Sequence, residues 1–330
     1  MTTYKGIKGL TVQTIAGDPA NPITGQVWYN STSDTFKGAI ADGSGAGSWS
    51  SGGNVNTARM TSAASGTQTA GLVFGGDRYN AGPVQATTEK YNGTSWTEVN
   101  DLNTARQGLG GSGTQTAALA FGSPSPTTGV FTESWDGTNW TEVGDLNAAA
   151  TQCAGFGTQA ASLRAAGYIP ATAAAGATTE LWNGSSWTEV NDVNTARYSV
   201  SGCGSSTAGL LASGYTGTAA PADVESWNGT SWTEVANVNT ARFFTGTAGT
   251  QTLAITFGGR PPAPGRALTE AWNGTSWSEV ADLATGRVTT GAGTGLLALA
   301  VGNLTAPATD SALTEEWTQP SAITNLVMTD

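Results

Sequence analysis

A unit of about 46 residues recurs along this chain of 330 residues, and the repeat constrains the fold more than any other feature. Its first phrase is Asn-Thr-Ala-Arg, which begins at Asn56, Asn103, Asn194 and Asn239, with weaker copies at 147–150 and 284–287. Successive copies are 47, 44, 47, 45 and 45 residues apart. A second phrase, Glu-x-aromatic-(Asn/Asp)-Gly-x-x-Trp-(Thr/Ser)-Glu-Val, recurs five times between 89–99 and 270–280. This period with an aromatic signature is typical of β-propeller repeats and not of helical solenoids.

Each repeat divides into four short strands. An Asn-Gly or Asp-Gly pair separates the third strand from the fourth, and both residue types tolerate the positive φ of a tight hairpin. The first strand is rich in Gly, Ala, Ser and Thr, which suits the crowded axis of a propeller, and the outer strands carry tryptophan. No segment of the repeat shows a helical stripe. The sequence therefore predicts an all-β fold, a six-bladed β-propeller of four-stranded antiparallel blades.

The two ends of the repeat region predict how the ring closes. The last repeat stops after Trp317 and lacks its fourth strand, whereas Trp49 lies seven residues before Asn56, as Trp96 does before Asn103. We expect an N-terminal strand around Trp49 to complete the C-terminal blade. Closure of this kind removes the exposed edges that an open sheet would leave.

Composition excludes several kinds of chemistry. The chain has no histidine, so it has neither a Ser-His-Asp or Cys-His relay nor a histidine-ligated metal site. Its 13 Lys+Arg against 24 Asp+Glu give a net charge of −11, which opposes nucleic-acid binding. Cys153 and Cys203 lack metal-site spacing and are expected to be buried thiols. No apolar run has the length of an export signal or a membrane span. We expect a protein without metal, cofactor or membrane insertion.

Several features of the repeat resemble the Kelch repeat. They are a double glycine after an apolar strand (75–76 and 258–259), an aromatic residue in strand three, a tryptophan in strand four, and then Thr-Ala-Arg. The resemblance covers about 270 of the 330 residues and implies a propeller. The other four repeats keep a single glycine, at Gly122, Gly167, Gly214 and Gly302. The copper site of the Kelch protein galactose oxidase needs histidine, so that activity does not carry over.

Residues that recur from repeat to repeat are interpreted as structural. They are Arg59, Arg106, Arg197, Arg242 and Arg287 after strand four; Glu89, Glu133, Glu180, Glu225, Glu270 and Glu315 on strand three; Glu98, Glu142, Glu189, Glu234 and Glu279 on strand four; and Trp96, Trp140, Trp187, Trp232 and Trp277 beside them. We expect the arginines to be the partners of these glutamates, in salt bridges between blades, or to donate hydrogen bonds to loop carbonyls. The alternative is an anion-binding ring of arginines at the channel mouth. Ala150 interrupts the arginine series, and no carboxylate departs from the repeat as a catalytic residue should.

The connections between strands two and three differ in every repeat, whereas those between strands one and two are nearly identical. Diversified loops on a rigid frame commonly form binding surfaces, although drift in tolerant loops gives the same pattern. The candidate ligand-binding residues are Arg78, Tyr79, Tyr168, Tyr215, Arg260 and Arg266.

Residues 1–45 do not fit the repeat and are assigned to an N-terminal attachment or capping segment, followed by the propeller at 46–318 and a tail at 319–330. The phrase at 25–38 predicts a hairpin about a Ser-Thr-Ser-Asp turn. It resembles segments near the start of tail-fibre and other virion proteins of bacteriophages, particularly marine ones. The resemblance implies a virion-attachment element; the alternative is a hairpin that caps the propeller.

The leading hypothesis is a non-enzymatic phage virion protein, a tail-fibre, receptor-binding or capsid-surface protein. Its variable face would bind host-surface glycan or a neighbouring virion protein, and several copies could assemble on one particle. Two alternatives stay open. One is a propeller glycoside hydrolase or lyase acting on host polysaccharide, and the other is a cytoplasmic Kelch-type interaction module.

Overall fold

The computed structural model describes residues 12–19, 26–40, 46–78, 83–125, 127–260, 266–305, 309–320 and 322–325. Strands supply nearly all of the regular structure in these ranges, and one turn of 3₁₀ helix spans Thr128–Val130. The chain divides into two compact units, one of residues 1–46 with 319–330 and one of residues 47–318. The all-β class expected from the repeat is confirmed.

The first unit holds one sheet of four strands. Their order is β1 (Gln13–Ile15), β2 (Val27–Asn30), β3 (Thr35–Ile40) and β28 (Ala322–Asn325), with β1 parallel to β2 and the other pairs antiparallel. Strands β2 and β3 form a hairpin across residues 31–34. Asp18 accepts hydrogen bonds from Asn30, Lys37 and Trp28, and these bonds lower the pKa of its carboxyl group.

The second unit contains six four-stranded antiparallel sheets, one for each repeat. The first three are β5 (Ala63–Thr67), β6 (Ala70–Phe74), β7 (Thr88–Tyr91) and β8 (Trp96–Val99); β9 (Gly110–Gly113), β10 (Ala118–Phe121), β11 (Thr132–Trp135) and β12 (Trp140–Glu142); and β13 (Ala154–Gly157), β14 (Ser162–Ile169), β15 (Ala174–Trp182) and β16 (Trp187–Val190).

The other three sheets follow the same up-and-down order. They are β17 (Ser201–Ser205), β18 (Ala208–Ala212), β19 (Val224–Trp227) and β20 (Trp232–Val235); β21 (Gly246–Gly249), β22 (Ala254–Phe257), β23 (Thr269–Trp272) and β24 (Trp277–Glu279); and β25 (Arg287–Gly293), β26 (Leu297–Thr305), β27 (Thr309–Thr318) and β4 (Ser48–Ser51). In the sixth sheet Trp49 of β4 lies opposite Trp317 of β27.

The connections of these sheets fall at two opposite ends. The turns between first and second strands and the Asn-Gly hairpins lie at one end, which we call the turn end. The connections between second and third strands, and those that lead from sheet to sheet, lie at the other, which we call the loop end. The hairpins form as expected, since Asn92 Oδ1 accepts the N–H groups of Thr94 and Ser95, each at 2.9 Å, and Gly93 has a φ of 89°.

The apolar core lies between neighbouring sheets. The ring of Phe74 in the first sheet packs at 4.9 Å against Trp140 of the second, and Phe121 packs at 4.9 Å against Trp187 of the third. Trp49 packs in the same way at 4.9 Å against Phe257 of the fifth sheet. Most of the tryptophan area is therefore buried between sheets, where aromatic side chains contribute the most packing area.

The first strands of the six sheets contact one another. Each contacts the first strand of the next sheet along the chain, and β25 contacts β5. Their closeness explains their composition, because a Cβ atom at Gly155 would come within 2.7 Å of the Gly111 carbonyl oxygen. The architecture is β-propeller-like, with small residues on the first strands and tryptophans on the third and fourth strands.

Two repeats depart from the expected irregular loop between strands two and three, and there the loop prediction is wrong. In the third repeat β14 and β15 remain paired as far as Ile169 and Ala174, so Tyr168 lies in a strand. In the sixth, β26 and β27 remain paired as far as Thr305 and Thr309. A register shift within each pair lets the ladder continue beyond the point where the other repeats leave the sheet.

Candidate binding site

The Asn-Thr-Ala-Arg phrase wraps around a buried carboxylate. Glu89 Oε2 accepts hydrogen bonds from the Asn56 backbone N–H at 2.7 Å and from its side-chain amide at 2.8 Å. Glu89 Oε1 accepts one from the Thr57 N–H at 3.3 Å and another from the Arg59 guanidinium. These four donors satisfy a charge that is fully buried, which a carboxylate requires to remain ionised.

The same ion pair recurs in the other repeats. The pairs are Arg59–Glu89, Arg106–Glu133, Arg197–Glu225, Arg242–Glu270 and Arg287–Glu315. Each joins two residues of one repeat, so the expected salt bridges between blades are not formed by these arginines. The guanidiniums also donate to backbone carbonyls of their own repeats, as Arg106 does to Phe131 at 2.6 Å. The Asn-Thr-Ala-Arg phrase ends close to strand three of its own repeat, and this explains why each ion pair forms within one repeat.

The strand-four glutamates have a different environment from the strand-three glutamates. Glu98, Glu142, Glu189, Glu234 and Glu279 are exposed, and none forms an ion pair with another described residue. Burial lowers the pKa of Arg59, and the negative charges of Glu89, Asp101 and Glu98 oppose that shift. Glu98 therefore influences the pKa of the buried Arg59 through its charge and not through a direct contact.

The third repeat supplies its arginine from another position. Ala150 occupies the place of the repeat arginine, and Glu180 is instead paired with Arg164 of β14, at 3.0 Å. Arg164 lies directly opposite Glu180 across the β14–β15 ladder. It also donates to the carbonyls of Thr178 at 2.7 Å and Ala148 at 3.3 Å. The buried carboxylate is thus neutralised in all six repeats, which the interrupted arginine series did not indicate.

The strand-four tryptophans connect neighbouring sheets. Trp140 Nε1 donates to Thr88 Oγ1 of the preceding sheet at 3.0 Å. Equivalent bonds join Trp96 to Thr314, Trp187 to Thr132, Trp232 to Thr179 and Trp49 to Thr269. Trp277 faces Val224 in place of a threonine and donates to the Ala236 carbonyl at 3.0 Å.

Glutamines at the turn end add a second connection. Gln159 donates to the Trp135 carbonyl of the preceding sheet at 2.5 Å, and Gln251 donates to the Trp227 carbonyl at 2.6 Å. Gln115 donates to the Tyr91 carbonyl at 2.5 Å in the same way. The nearly identical sequences of the turn are therefore explained by contacts between sheets. The repeat arginines, the strand-three glutamates and the strand-four tryptophans are likewise engaged in contacts within the protein.

The loop end holds an arc of aromatic rings that crosses three repeats. Ring centroids lie 5.3 Å apart for Tyr168 and Tyr198, 5.5 Å for Tyr198 and Tyr215, and 5.0 Å for Tyr215 and Phe243. Phe244 follows at 5.5 Å from Phe243. We call these five residues the aromatic arc. Isolated β-bridges support the aromatic arc. The backbone of Tyr198 pairs with that of Tyr215, and the backbone of Phe243 pairs with that of Arg260.

The tyrosine hydroxyls of the arc have no hydrogen-bond partner in the part of the chain that the structure describes. No hydrogen bond joins the hydroxyls of Tyr168, Tyr198 or Tyr215 to another described residue, and all three side chains are half-buried. Burial and the neighbouring tyrosines raise the pKa of Tyr198. The arc therefore presents aromatic rings together with phenolic hydroxyls, a composition found at binding surfaces.

The candidate arginines lie at the same end but not all in one place. Arg260 lies over the arc, with its guanidinium carbon 5.6 Å from the Phe243 ring and 5.9 Å from the Phe244 ring. The exposed Arg266 donates its backbone N–H to the Gly259 carbonyl at 2.7 Å. Arg78 is exposed in the first repeat, and Tyr79 lies outside the described residues. The structure thus brings Tyr168, Tyr215 and Arg260 into one surface.

Sequence reasoning missed Tyr198, Phe243 and Phe244. They follow Arg197 and Arg242 directly, in a phrase that was interpreted as structural. The sequence does contain a signal for this variable position. The residue that follows the repeat arginine differs in each repeat that has one, and these residues are Met60, Gln107, Tyr198, Phe243 and Val288.

A cavity of about 110 Å³ opens at the loop end beside the arc and is lined by the first strands of all six sheets. Phe244 lies at its wall, where Thr61, Gln152, Ser199 and Phe244 occupy equivalent positions with φ between 51° and 56°. These left-handed residues are linked by backbone hydrogen bonds, for example Ser199 N–H to the Gln152 carbonyl at 2.9 Å and Phe244 N–H to the Ser199 carbonyl at 3.0 Å. The strained conformation is explained by this chain of bonds between sheets.

One acidic pair also lies at the loop end. Burial raises the pKa of Asp77, the hydrogen bond from Thr61 opposes this shift, and the charge of Asp310 adds to it.

The described ranges contain no group of three or more Cys, Asp or Glu side chains placed to hold a metal ion. Burial raises the pKa of the Cys153 thiol to about 11 and that of Cys203 to about 12, so both are poor nucleophiles near neutral pH.

Comparison with models of known protein families gives no match, and neither does comparison with curated proteins. In the part of the chain that the structure describes, no helix is both long and apolar enough to span a membrane.

Proposed function

We propose that the second unit is a six-bladed β-propeller with a closed ring. The proposal is supported by the cyclic series of contacts between first strands and by the cavity that all six line. It is further supported by β4, which occupies the fourth-strand place of the sixth sheet, and by Trp49, which donates to Thr269 at 3.0 Å as the other strand-four tryptophans donate to their threonines.

We propose that this propeller is a non-enzymatic binding protein of a phage virion. It would be a tail-fibre, receptor-binding or capsid-surface protein whose loop end contacts host-surface glycan or a neighbouring virion protein. The observation that carries the binding role is the aromatic arc, whose three tyrosine hydroxyls have no partner among the described residues. The virion assignment rests on the phrase at 25–38. The Kelch-like label rests on the repeat itself.

The test combines the location of the protein with its binding. Electron microscopy and mass spectrometry of purified particles should find the protein on the virion, and a glycan array with the purified full chain should give signals that Tyr198→Ala and Tyr215→Ala reduce. The same variants should keep the unfolding transition of the parent chain. Absence from particles would overturn the virion assignment, and glycan signals unchanged by both variants would remove the arc from the site.

A second candidate function is hydrolysis of a host polysaccharide. It is favoured by Asp77 and Asp310, two carboxylates at the loop end that interact electrostatically. Glycoside hydrolysis needs two carboxyl groups across a cleft, one of them with a raised pKa. Reducing-end release from polysaccharides by the purified protein, abolished by Asp77→Asn, would establish it, whereas intact polysaccharide after prolonged incubation would exclude it.

A further inference from the structure

The second unit has few cationic side chains, and most of them are neutralised. Ten of the 13 Lys+Arg of the chain lie in the unit 47–318. Six are the buried arginines that pair with strand-three glutamates. Lys90 donates to the Gly137 carbonyl at 2.5 Å and lies over the Trp135 ring. The other three are Arg78, Arg260 and Arg266, all at the loop end, and none forms an ion pair with a described residue.

Unpaired arginines are unexpected in so acidic a protein. The chain carries 24 Asp+Glu, and an arginine beside any of them would gain a charge-assisted hydrogen bond. Arg260 is half-buried, and unlike the six buried arginines its guanidinium has neither an ion pair nor a hydrogen bond with another described residue. Burying a cation without an anion is unfavourable, so an anionic ligand that reached this guanidinium would satisfy it.

The position of Arg260 beside the aromatic arc indicates which other groups the anionic ligand carries. Its guanidinium lies over Phe243 and Phe244, and the tyrosines of the arc continue from Phe243 in steps of 5.0 Å and 5.5 Å. Tyr198 stands edge-on to Tyr215, at 87°, and to Tyr168, at 72°, whereas Tyr215 and Phe243 are tilted at 34°. Pyranose rings have C–H groups on their faces and hydroxyls at their edges, which match aromatic rings and phenolic hydroxyls.

We infer that the loop end binds an acidic glycan, with a sugar carboxylate on Arg260 and neighbouring pyranose rings along Tyr215, Tyr198 and Tyr168. The inference rests on the proposed binding function and narrows its ligand class. Arg266 lies close enough through its bond to Gly259 to add positive charge at the same end. The rest of the unit is acidic and repels a carboxylate. The region around Arg260 and Arg266 is positively charged and attracts one.

The test uses a glycan array that contains uronate- and sialate-bearing oligosaccharides together with neutral ones, probed with the full-length protein. The best acidic binder is then measured by calorimetry beside its carboxyl methyl ester, which keeps the sugar and removes the charge. We expect the ester to bind at least tenfold more weakly. Raising the salt concentration should weaken binding of the acid and leave binding of the ester unchanged.

Two variants test whether Arg260 supplies the positive charge that binds the acidic glycan. Arg260→Gln should lower affinity for the acidic glycan at least tenfold and remove the difference between acid and ester. Lys90→Gln is the matched control, since it makes the same change in net charge away from the loop end, and it should bind as the parent chain does. Thermal unfolding of each variant checks that the fold is retained.

The outcomes separate this inference from the proposed function. Neutral glycans that bind as tightly as acidic ones, with no effect of Arg260→Gln, would overturn the acidic class and leave glycan binding in place. Binding of no oligosaccharide at millimolar concentration would overturn the inference as well. If the protein is then still found on the particle, its proposed partner is a neighbouring virion protein.

Discussion

The two ends of the repeat sheets are built by the same chain under different constraints. At the turn end, four repeats carry a glutamine in the turn, and each glutamine (Gln68, Gln115, Gln159 and Gln251) donates to a carbonyl of the neighbouring sheet. At the loop end, equivalent positions hold Thr151, Tyr198 and Phe243 in successive repeats. The recurrence of glutamine at the turn end is explained by these partners in the neighbouring sheet.

The difference teaches where to look for function in a repeat protein. Recurrent residues of the buried network use their hydrogen-bonding capacity internally, as Glu225 does by accepting from Asn194 and Arg197. Side chains that vary and keep unused polar groups, as the arc tyrosines and Arg260 do among the described residues, are available to a partner. This contrast can be tested by removing one group at a time from each class.

The largest effect is expected for the buried ion pair. Glu225→Ala leaves Arg197 buried without its anion, which should lower the free energy of unfolding by about 3 to 5 kcal/mol. Glu234→Ala is the matched control, because Glu234 lies directly opposite Glu225 across the ladder but is exposed, and it should cause no measurable change. Chemical denaturation measures both, and equal effects would contradict the structural distinction between the two glutamates.

The third repeat allows a rescue experiment. Arg164→Ala should destabilise the chain by about 3 kcal/mol, since Glu180 then lacks a cation. Adding Ala150→Arg returns an arginine to the position used by the other repeats and should recover at least half of that loss. Failure of the second arginine to restore stability would mean that the third sheet no longer accepts a guanidinium from that side.

A smaller effect is expected at the turn end. Gln251→Leu removes the donor to the Trp227 carbonyl, which is worth about 1 to 2 kcal/mol of unfolding free energy. Thr252→Ala, one residue further along the same turn and exposed, should stay within about 0.5 kcal/mol of the parent chain. Urea midpoints of the two variants that coincide would show that the glutamine is not a connection between sheets.

The smallest effect is expected in the arc. Tyr168→Phe, Tyr198→Phe and Tyr215→Phe each remove a hydroxyl that has no partner among the described residues, so stability should change by less than about 0.5 kcal/mol. A loss above about 1 kcal/mol in any of them would show that its hydroxyl serves the fold and not a ligand. Thermal unfolding of the three variants measures this.

The repeat in the sequence was enough to predict the all-β class and the strand order within each sheet. Asn-Gly turns and the Trp-Thr-Glu-Val phrase are local signals, and local signals determine hairpins. The partners of the repeat arginines were harder to assign. Strand-three and strand-four glutamates have similar sequence contexts, and only the folded sheet buries Glu225 and exposes Glu234.

The candidate site was predictable only in part, for a physical reason. Tyr168, Tyr215 and Arg260 stood out as variable residues, but Tyr198 and Phe243 join them through bridges between segments 17 residues apart. The ring contacts of Tyr198 with Tyr168 and of Tyr215 with Phe243 join different repeats, and these contacts depend on the packing of neighbouring sheets. The arginine of the third repeat shows the same limit, because Arg164 lies on a strand where other repeats have small or apolar residues.

Strand β4 has a consequence for synthesis of the chain. It pairs with β27, and the bonded pair Ser50 and Glu316 is separated by 266 residues. At a translation rate of about 5 to 20 residues per second, β4 waits roughly 15 to 50 s before its partner strand exists. A strand left unpaired for that time invites aggregation, and the sequence Ser-Trp-Ser-Ser is short and mostly polar, which limits wrong pairing during the delay.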